Sequence, residues 1–148
     1  MKNILSHAIA AAGAALATYL VTAGSFQAVT SGARAQAPGQ RSTELFSQVM
    51  DDALGRKFSV RLTERDAGNG SPAHRHPGSH TVGYILEGLY EVKIDNGPLR
   101  TLKAGEVFYE PPNALHAVSR NGSSTQPVKY LVIQVSDTSK PATVPEPQ

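Results

Sequence analysis

Three of the chain's five histidines fall in one short stretch, Ala73-His74-Arg75-His76-Pro77-Gly78-Ser79-His80. A fourth, His116, follows behind Glu110-Pro111-Pro112-Asn113. Neutral imidazole is the commonest protein metal ligand. In an extended strand, residues i and i+2 point to the same face, so His74 and His76 are placed to converge on one ion. A third nitrogen must come from elsewhere in the fold, and His116 is the evident donor. The pattern points to a metal site inside a β-structure.

The surrounding segments supply the strands such a site needs. Phe58, Val60 and Leu62 alternate with polar residues, the pattern of a half-buried strand. Ala67-Gly68-Asn69-Gly70-Ser71-Pro72 is a cluster of chain breakers and reads as a loop. Thr81-Val82-Gly83-Tyr84-Ile85-Leu86 is rich in strand formers. Residues 89–94 and 99–102 flank Asp95-Asn96-Gly97-Pro98, and Asn-Gly between two alternating runs is a strong hairpin signal. Short strands at 107–109, 117–119 and 128–135 complete an antiparallel sandwich or barrel. Residues 43–54 read either as a short amphipathic turn or helix or as an edge strand. The tail, residues 138–148, holds Pro141, Pro145 and Pro147 and reads as flexible.

The start of the chain reads as a targeting segment. Lys2 precedes an uncharged, Ala-rich apolar run over 9–20, and Ala33-Arg34-Ala35 has the form of a signal-peptidase site before Gln36. Residues 1–35 are therefore expected to be a signal peptide, with the protein periplasmic or secreted and no stable membrane anchor after cleavage. Residues 36–57 then form a leader with a short helix or edge strand, and residues 58–137 form the principal domain. Lys2 and Arg34 leave with the leader, so 14 − 2 = 12 basic residues face the 12 acidic ones, all of which lie from Glu44 onward. The expected mature chain is thus formally neutral, and its Lys and Arg are interspersed with acids, as in Arg61-Leu62-Thr63-Glu64-Arg65-Asp66. That pattern argues against a nucleic-acid partner. The chain has no cysteine, which excludes disulfides, Cys-ligated zinc, iron–sulfur clusters and a Cys nucleophile.

Taken in order, these residues resemble the cupin superfamily, over about 58–135. Gly68, His74, His76 and Gly88 follow the first cupin motif, while Gly105, Pro111, Asn113 and His116 follow the second. Asn113 stands where that motif has glycine, and Asn is among the non-Gly residues that best tolerate positive φ. Asn121 comes one residue later than the motif asks. The resemblance implies an all-β, conical cupin-type β-barrel, or double-stranded β-helix (jelly roll). It also implies one divalent metal held by three histidines and a glutamate. Carried over, the histidines are His74, His76 and His116.

The glutamate is the departure. Four residues after His76 stands His80, and seven before Gly88 stands Thr81, neither a carboxylate. Three arrangements remain open. His80 replaces the glutamate through a small bulge, giving a four-histidine site; His80 lies idle on an exposed loop; or three histidines hold the ion with positions open to water or substrate. Glu106 and Glu110 read as surface or rim residues. Tyr84, Tyr90, Phe108, Tyr109 and Tyr130 read as core or wall, although Tyr84 or Tyr109 could bring a phenol near the pocket.

Nitrogen ligation with open positions suits Fe, Mn, Ni, Cu or Zn. Without the carboxylate the ion would be more Lewis acidic, which favours binding or hydrolytic chemistry over oxygen activation. Two function classes follow. One is a metal-dependent enzyme acting on a small organic molecule, with the oxygenase, decarboxylase or lyase chemistry that the resemblance offers. The other is a non-catalytic cupin that binds or senses a small ligand. No catalytic acid or base stands out. A homodimer through edge strands is expected, since pairing would cover an exposed edge.

Overall fold

The computed structural model describes residues 38–147; the expected signal peptide and its cleavage site lie outside them. Among the described residues there are strands and turns but no helix. In chain order the strands are β1 (Gln40–Val49), β2 (Arg56–Arg65), β3 (Gly70–Ser71), β4 (His74–Arg75), β5 (His80–Glu87) and β6 (Leu89–Ile94). They continue as β7 (Arg100–Lys103), β8 (Val107–Glu110), β9 (Leu115–Asn121), β10 (Val128–Asp137) and β11 (Val144–Pro145). Two antiparallel sheets result. One has the order β1-β2-β10-β5-β8, the other β11-β4-β9-β6-β7, with β3 also paired to β9. This is the all-β architecture expected from the alternating runs.

Strand parity builds the core. Thr81 and Ile85 on β5, Tyr90 and Val92 on β6, and Phe108 on β8 are buried, whereas their neighbours His80, Tyr84, Leu89, Val107 and Tyr109 are exposed. Ile85, Tyr90, Val92, Leu102, Phe108, Val128 and Tyr130 form one apolar cluster. Tyr90 stacks on Phe108 at a centroid distance of 5.3 Å and packs on Tyr130 at 4.7 Å. Gly83 makes room for that stack, because a Cβ there would overlap the Phe108 ring.

Polar residues close one end of the core. Arg65 is buried, donating from Nη1 to the Ser119 carbonyl and from Nη2 to Ser71 Oγ, each at 2.6 Å. Its guanidinium lies 6.0 Å and 5.9 Å from the Tyr90 and Tyr130 ring centres, close enough for a cation–π attraction. Asn121, opposite Tyr90 in the β6–β9 ladder, donates to the Asp66 and Gln126 carbonyls and accepts from Ser123 N–H.

Of the two alternatives open for the segment after residue 43, the edge strand is the one formed: β1 pairs with β2 along its whole length, with a bulge between Glu44 and Phe46. The tail expected to be flexible is instead pinned. β11 pairs with β4, Glu146 N–H donates to the Ala73 carbonyl at 2.9 Å, and the Glu146 carboxylate pairs with Arg75 at 2.7 Å. Composition predicts flexibility where the chain has nothing to bind; here it has a strand edge and a cation.

Candidate metal centre

β4 and β9 bring the histidines together. His74 pairs directly with His116 in the antiparallel ladder, and their ring centres lie 5.0 Å apart. His74 and His76, one residue apart on an extended chain, also have ring centres 5.0 Å apart. β9 carries a bulge beside His116: Lys93 pairs with Val118 but Ile94 pairs with His116, leaving Ala117 as the extra residue. A bulge turns local side-chain direction, and His116 here is buried inward against Phe108 and Tyr90.

The turn before β9 depends on Asn113. Its φ is 64°, the left-handed region, so the residue in the glycine position of the second motif does adopt a glycine-like conformation. Asn113 N–H donates to the His76 carbonyl at 3.1 Å, tying the two histidine segments together.

The carboxylate comes from an unexpected place. Glu110 ends β8, paired with Thr81 of β5. It was expected at the surface or rim, but its side chain is only 3 % exposed. Residues 108 and 110 share the inward face of the strand, and Phe108 fills the core. Glu110 Oε1 lies 3.1 Å from His116 Nδ1, and Oε2 lies 4.0 Å from His76 Nε2. A carboxylate from another strand therefore stands beside the histidines, where the sequence offered none within the first motif.

His80 is not brought to this cluster. It is exposed at the start of β5, on the face opposite buried Thr81, and its Nδ1 lies 2.7 Å from the hydroxyl of exposed Tyr109. Its backbone keeps regular register with Val135. The β5 irregularity lies at the far end, where Tyr130 pairs with Ile85 and Lys129 with Glu87, skipping Leu86. The bulge that would have re-aimed His80 is therefore displaced to Leu86. Tyr84 and Tyr109 are exposed, whereas Tyr90, Phe108 and Tyr130 are core. Glu106 accepts from Lys103 N–H in an exposed turn.

The imidazole tautomers follow from their partners. His74 Nδ1 lies 2.8 Å from the Pro72 carbonyl, and His76 Nδ1 lies 2.6 Å from the Ala142 carbonyl. A carbonyl can only accept, so each Nδ1 carries the proton and each Nε2 keeps its lone pair. Burial lowers the His74 pKa; the Pro72 carbonyl opposes this, and His116 and His76 lower it further. The neutral form that a metal needs is thereby favoured.

Five buried side-chain atoms among the described residues have no hydrogen-bond partner, and three of them lie in this cluster: Glu110 Oε2 and both ring nitrogens of His116. Buried polar atoms are rarely left so. Among the described residues, no set of three His, Asp or Glu side chains is already closed into a metal-holding group. Closure would draw in the Glu110 and His116 side chains, whose buried donor atoms are the unpartnered ones. Three imidazoles and one carboxylate suit a divalent transition metal with positions left open.

Residues 61–134 match the family described as Cupin domain. Over 73 residues the chain is 37 % identical to germin-like protein subfamily 2 member 2 of Arabidopsis thaliana, covering 45 % of this chain and 33 % of that protein. The chain thus spans about one third of the length of this relative. A double-stranded β-helix protein of Klebsiella pneumoniae subsp. pneumoniae superposes with a TM-score of 0.59 at 16 % identity, over 78 % of this chain and 90 % of that one; the likeness is one of fold. The DMSP lyase DddQ of Ruegeria pomeroyi superposes with a TM-score of 0.52 at 26 % identity, over 62 % of this chain and 45 % of that one.

Proposed function

The chain belongs to the cupin family, and on that footing we propose that it is an exported protein whose His74, His76, His116 and Glu110 hold one divalent transition metal for work on a small organic molecule. One observation carries this reading: a buried carboxylate stands against two of three clustered histidines, and its Oε2 has no partner. Metal analysis of the purified protein, followed by titration of the metal-free form with Fe, Mn, Ni, Cu and Zn ions, tests it. One equivalent bound per chain is the expected result; no tight binding of any of the five ions would refute it.

A bound divalent ion would act as a Lewis acid toward an oxygen-bearing ligand. The chain's own residues prepare that encounter. Glu110 contributes negative charge to an otherwise neutral donor set. Beside it, Gln134 Nε2 donates to Thr81 Oγ1 at 2.9 Å, and Arg61 Nη2 donates to Gln134 Oε1 at 3.0 Å. Thr81 is the cross-strand partner of Glu110, so a polar wall runs across β2, β10 and β5 toward the cluster. Such a wall favours a small polar ligand over an apolar one.

Lyase, decarboxylase or oxygenase chemistry is one use of this site, and the likeness to a lyase supports it. The second reading is a binding or sensing protein without catalysis. The exposed positions of Tyr84 and Tyr109, the two residues that could have offered a phenol to the pocket, favour it. A turnover screen of catechols and small organic acids with the metal-loaded protein separates the two.

Export rests on the Ala33-Arg34-Ala35 sequence before Gln36. Intact mass spectrometry of the exported protein should give a chain starting at Gln36; retention of Met1 or Lys2 would overturn it. Homodimer formation rests on edge strand β1, where Leu45, Phe46 and Val49 are exposed. Light scattering should give twice the chain mass, and Phe46→Glu should shift it toward the monomer.

A further inference from the structure

We propose that residues 142–146 are a positioning strap for His76, so that metal binding and docking of this segment form one coupled equilibrium. The proposal rests on the metal-centre reading above and adds to it a part of the chain outside the cupin motifs.

The strap is built on Arg75, the residue between the two motif histidines. Arg75 Nε donates to Glu146 Oε2 at 2.7 Å and Nη2 donates to Oε1 at 3.0 Å, a two-pronged pairing. Nη1 of the same guanidinium donates to the Asn113 carbonyl at 2.9 Å. One side chain therefore joins the tail, the His-x-His strand and the turn that leads into His116. Backbone pairing of Val144 with Arg75 and Pro145 with His74 lays the segment along β4. Surface ion pairs alone contribute little, but this one acts together with the strand pairing and with Glu146 N–H, which donates to the Ala73 carbonyl.

The strap ends on His76 itself. The Ala142 carbonyl accepts from His76 Nδ1, and Thr143 Oγ1 lies 3.3 Å from the same atom. This contact selects the tautomer with Nε2 free, and His76 Nε2 is the nitrogen that faces Glu110. Outer partners that fix a ligand histidine commonly matter by about tenfold to a hundredfold in metal affinity. If the strap orients His76 for the metal, the metal must in turn favour the docked strap, because coupling between two binding events is reciprocal.

The test uses the full mature chain and cobalt(II) alone as probe, comparing wild type, Glu146→Gln and Glu146→Lys. Glu146→Lys puts like charge against Arg75 and should undock the strap. Three quantities are read: cobalt affinity, the ring-nitrogen NMR shifts of His76 in the metal-free protein, and amide exchange at Glu146 with and without cobalt. The expected result is about tenfold or greater loss of affinity in Glu146→Lys, as for other outer partners of ligand histidines, with a smaller loss in Glu146→Gln. His76 should become a mixture of tautomers, and cobalt should slow Glu146 exchange in wild type. Affinity within about twofold of wild type in a variant whose Glu146 amide has lost protection would overturn the proposal, since loss of an outer partner of a ligand histidine should cost about tenfold. Protection retained in Glu146→Lys would refute the Arg75–Glu146 pair as its clasp. Wild type that binds no cobalt would instead count against the metal centre, and the His76 tautomer would still judge the strap. Should Glu146→Lys fail to fold, Glu146→Gln supports the same comparison.

Discussion

Glu110 Oε1 stands 3.1 Å from His116 Nδ1, both side chains only 3 % exposed, yet neither ring nitrogen of His116 has a hydrogen-bond partner. A carboxylate and an imidazole thus meet in a buried place without satisfying one another. Donor atoms gathered around a common ion would show this arrangement, which makes the pair the most informative contact in the protein.

The ligand set is tested by substitution. Glu110→Gln keeps the size of the side chain and removes its charge, and metal affinity should fall by about tenfold or more, whereas His80→Ala should leave it nearly unchanged. His74→Ala, His76→Ala and His116→Ala should each abolish tight binding. Titration of all five variants at one pH decides the matter; loss of affinity in His80→Ala with none in Glu110→Gln would restore the four-histidine arrangement.

Acid should destabilise the metal-free protein. Burial is the largest cause of the lowered His74 pKa. Between that lowered value and the unfolded value of about 6.5, the unfolded chain binds the additional proton. The contribution of His74 is therefore complete above about pH 6.5 and is lost as pH falls through the folded pKa. Thermal melting of metal-free protein should show Tm falling below that point, less steeply in His74→Gln. An identical profile in the two proteins would count against His74 as the source.

Gly83 should tolerate no side chain. A Cβ there would overlap the Phe108 ring, which is packed between Tyr90 and His116. Gly83→Ala should cost about 1–3 kcal/mol, as overpacking does. Denaturant unfolding measures it, and a midpoint equal to wild type would show that the ring can move aside.

Asn113 separates backbone strain from side-chain chemistry. With φ at 64°, Asn113→Gly should be close to neutral, whereas Asn113→Val should lose about 1–2 kcal/mol from left-handed strain. The Asn113 backbone groups that meet His76 and Arg75 remain in both variants. Equal stability of the two variants would contradict this account.

The sequence by itself determined what is local. The alternation of Phe58, Val60 and Leu62, the Asn-Gly hairpin, the His-x-His spacing and an asparagine fit for positive φ at 113 are each set by residues close along the chain. What the tertiary structure decided depends on register between distant strands. Glu110 read as a surface or rim residue because Val107, Phe108 and Tyr109 are all apolar or aromatic, so the sequence does not reveal which face of β8 points inward. Gly83 could have signalled it, as the one small residue in a run of strand formers, opposite Phe108 in the ladder. His80 fell outside because its parity on β5 is opposite to that of Thr81, and the bulge that would have reversed it lies at Leu86. The tail was misread because its partner, Arg75, lies 71 residues from Glu146. A Pro-rich composition describes what a segment does alone; a bidentate guanidinium and an open strand edge decide what it does when folded.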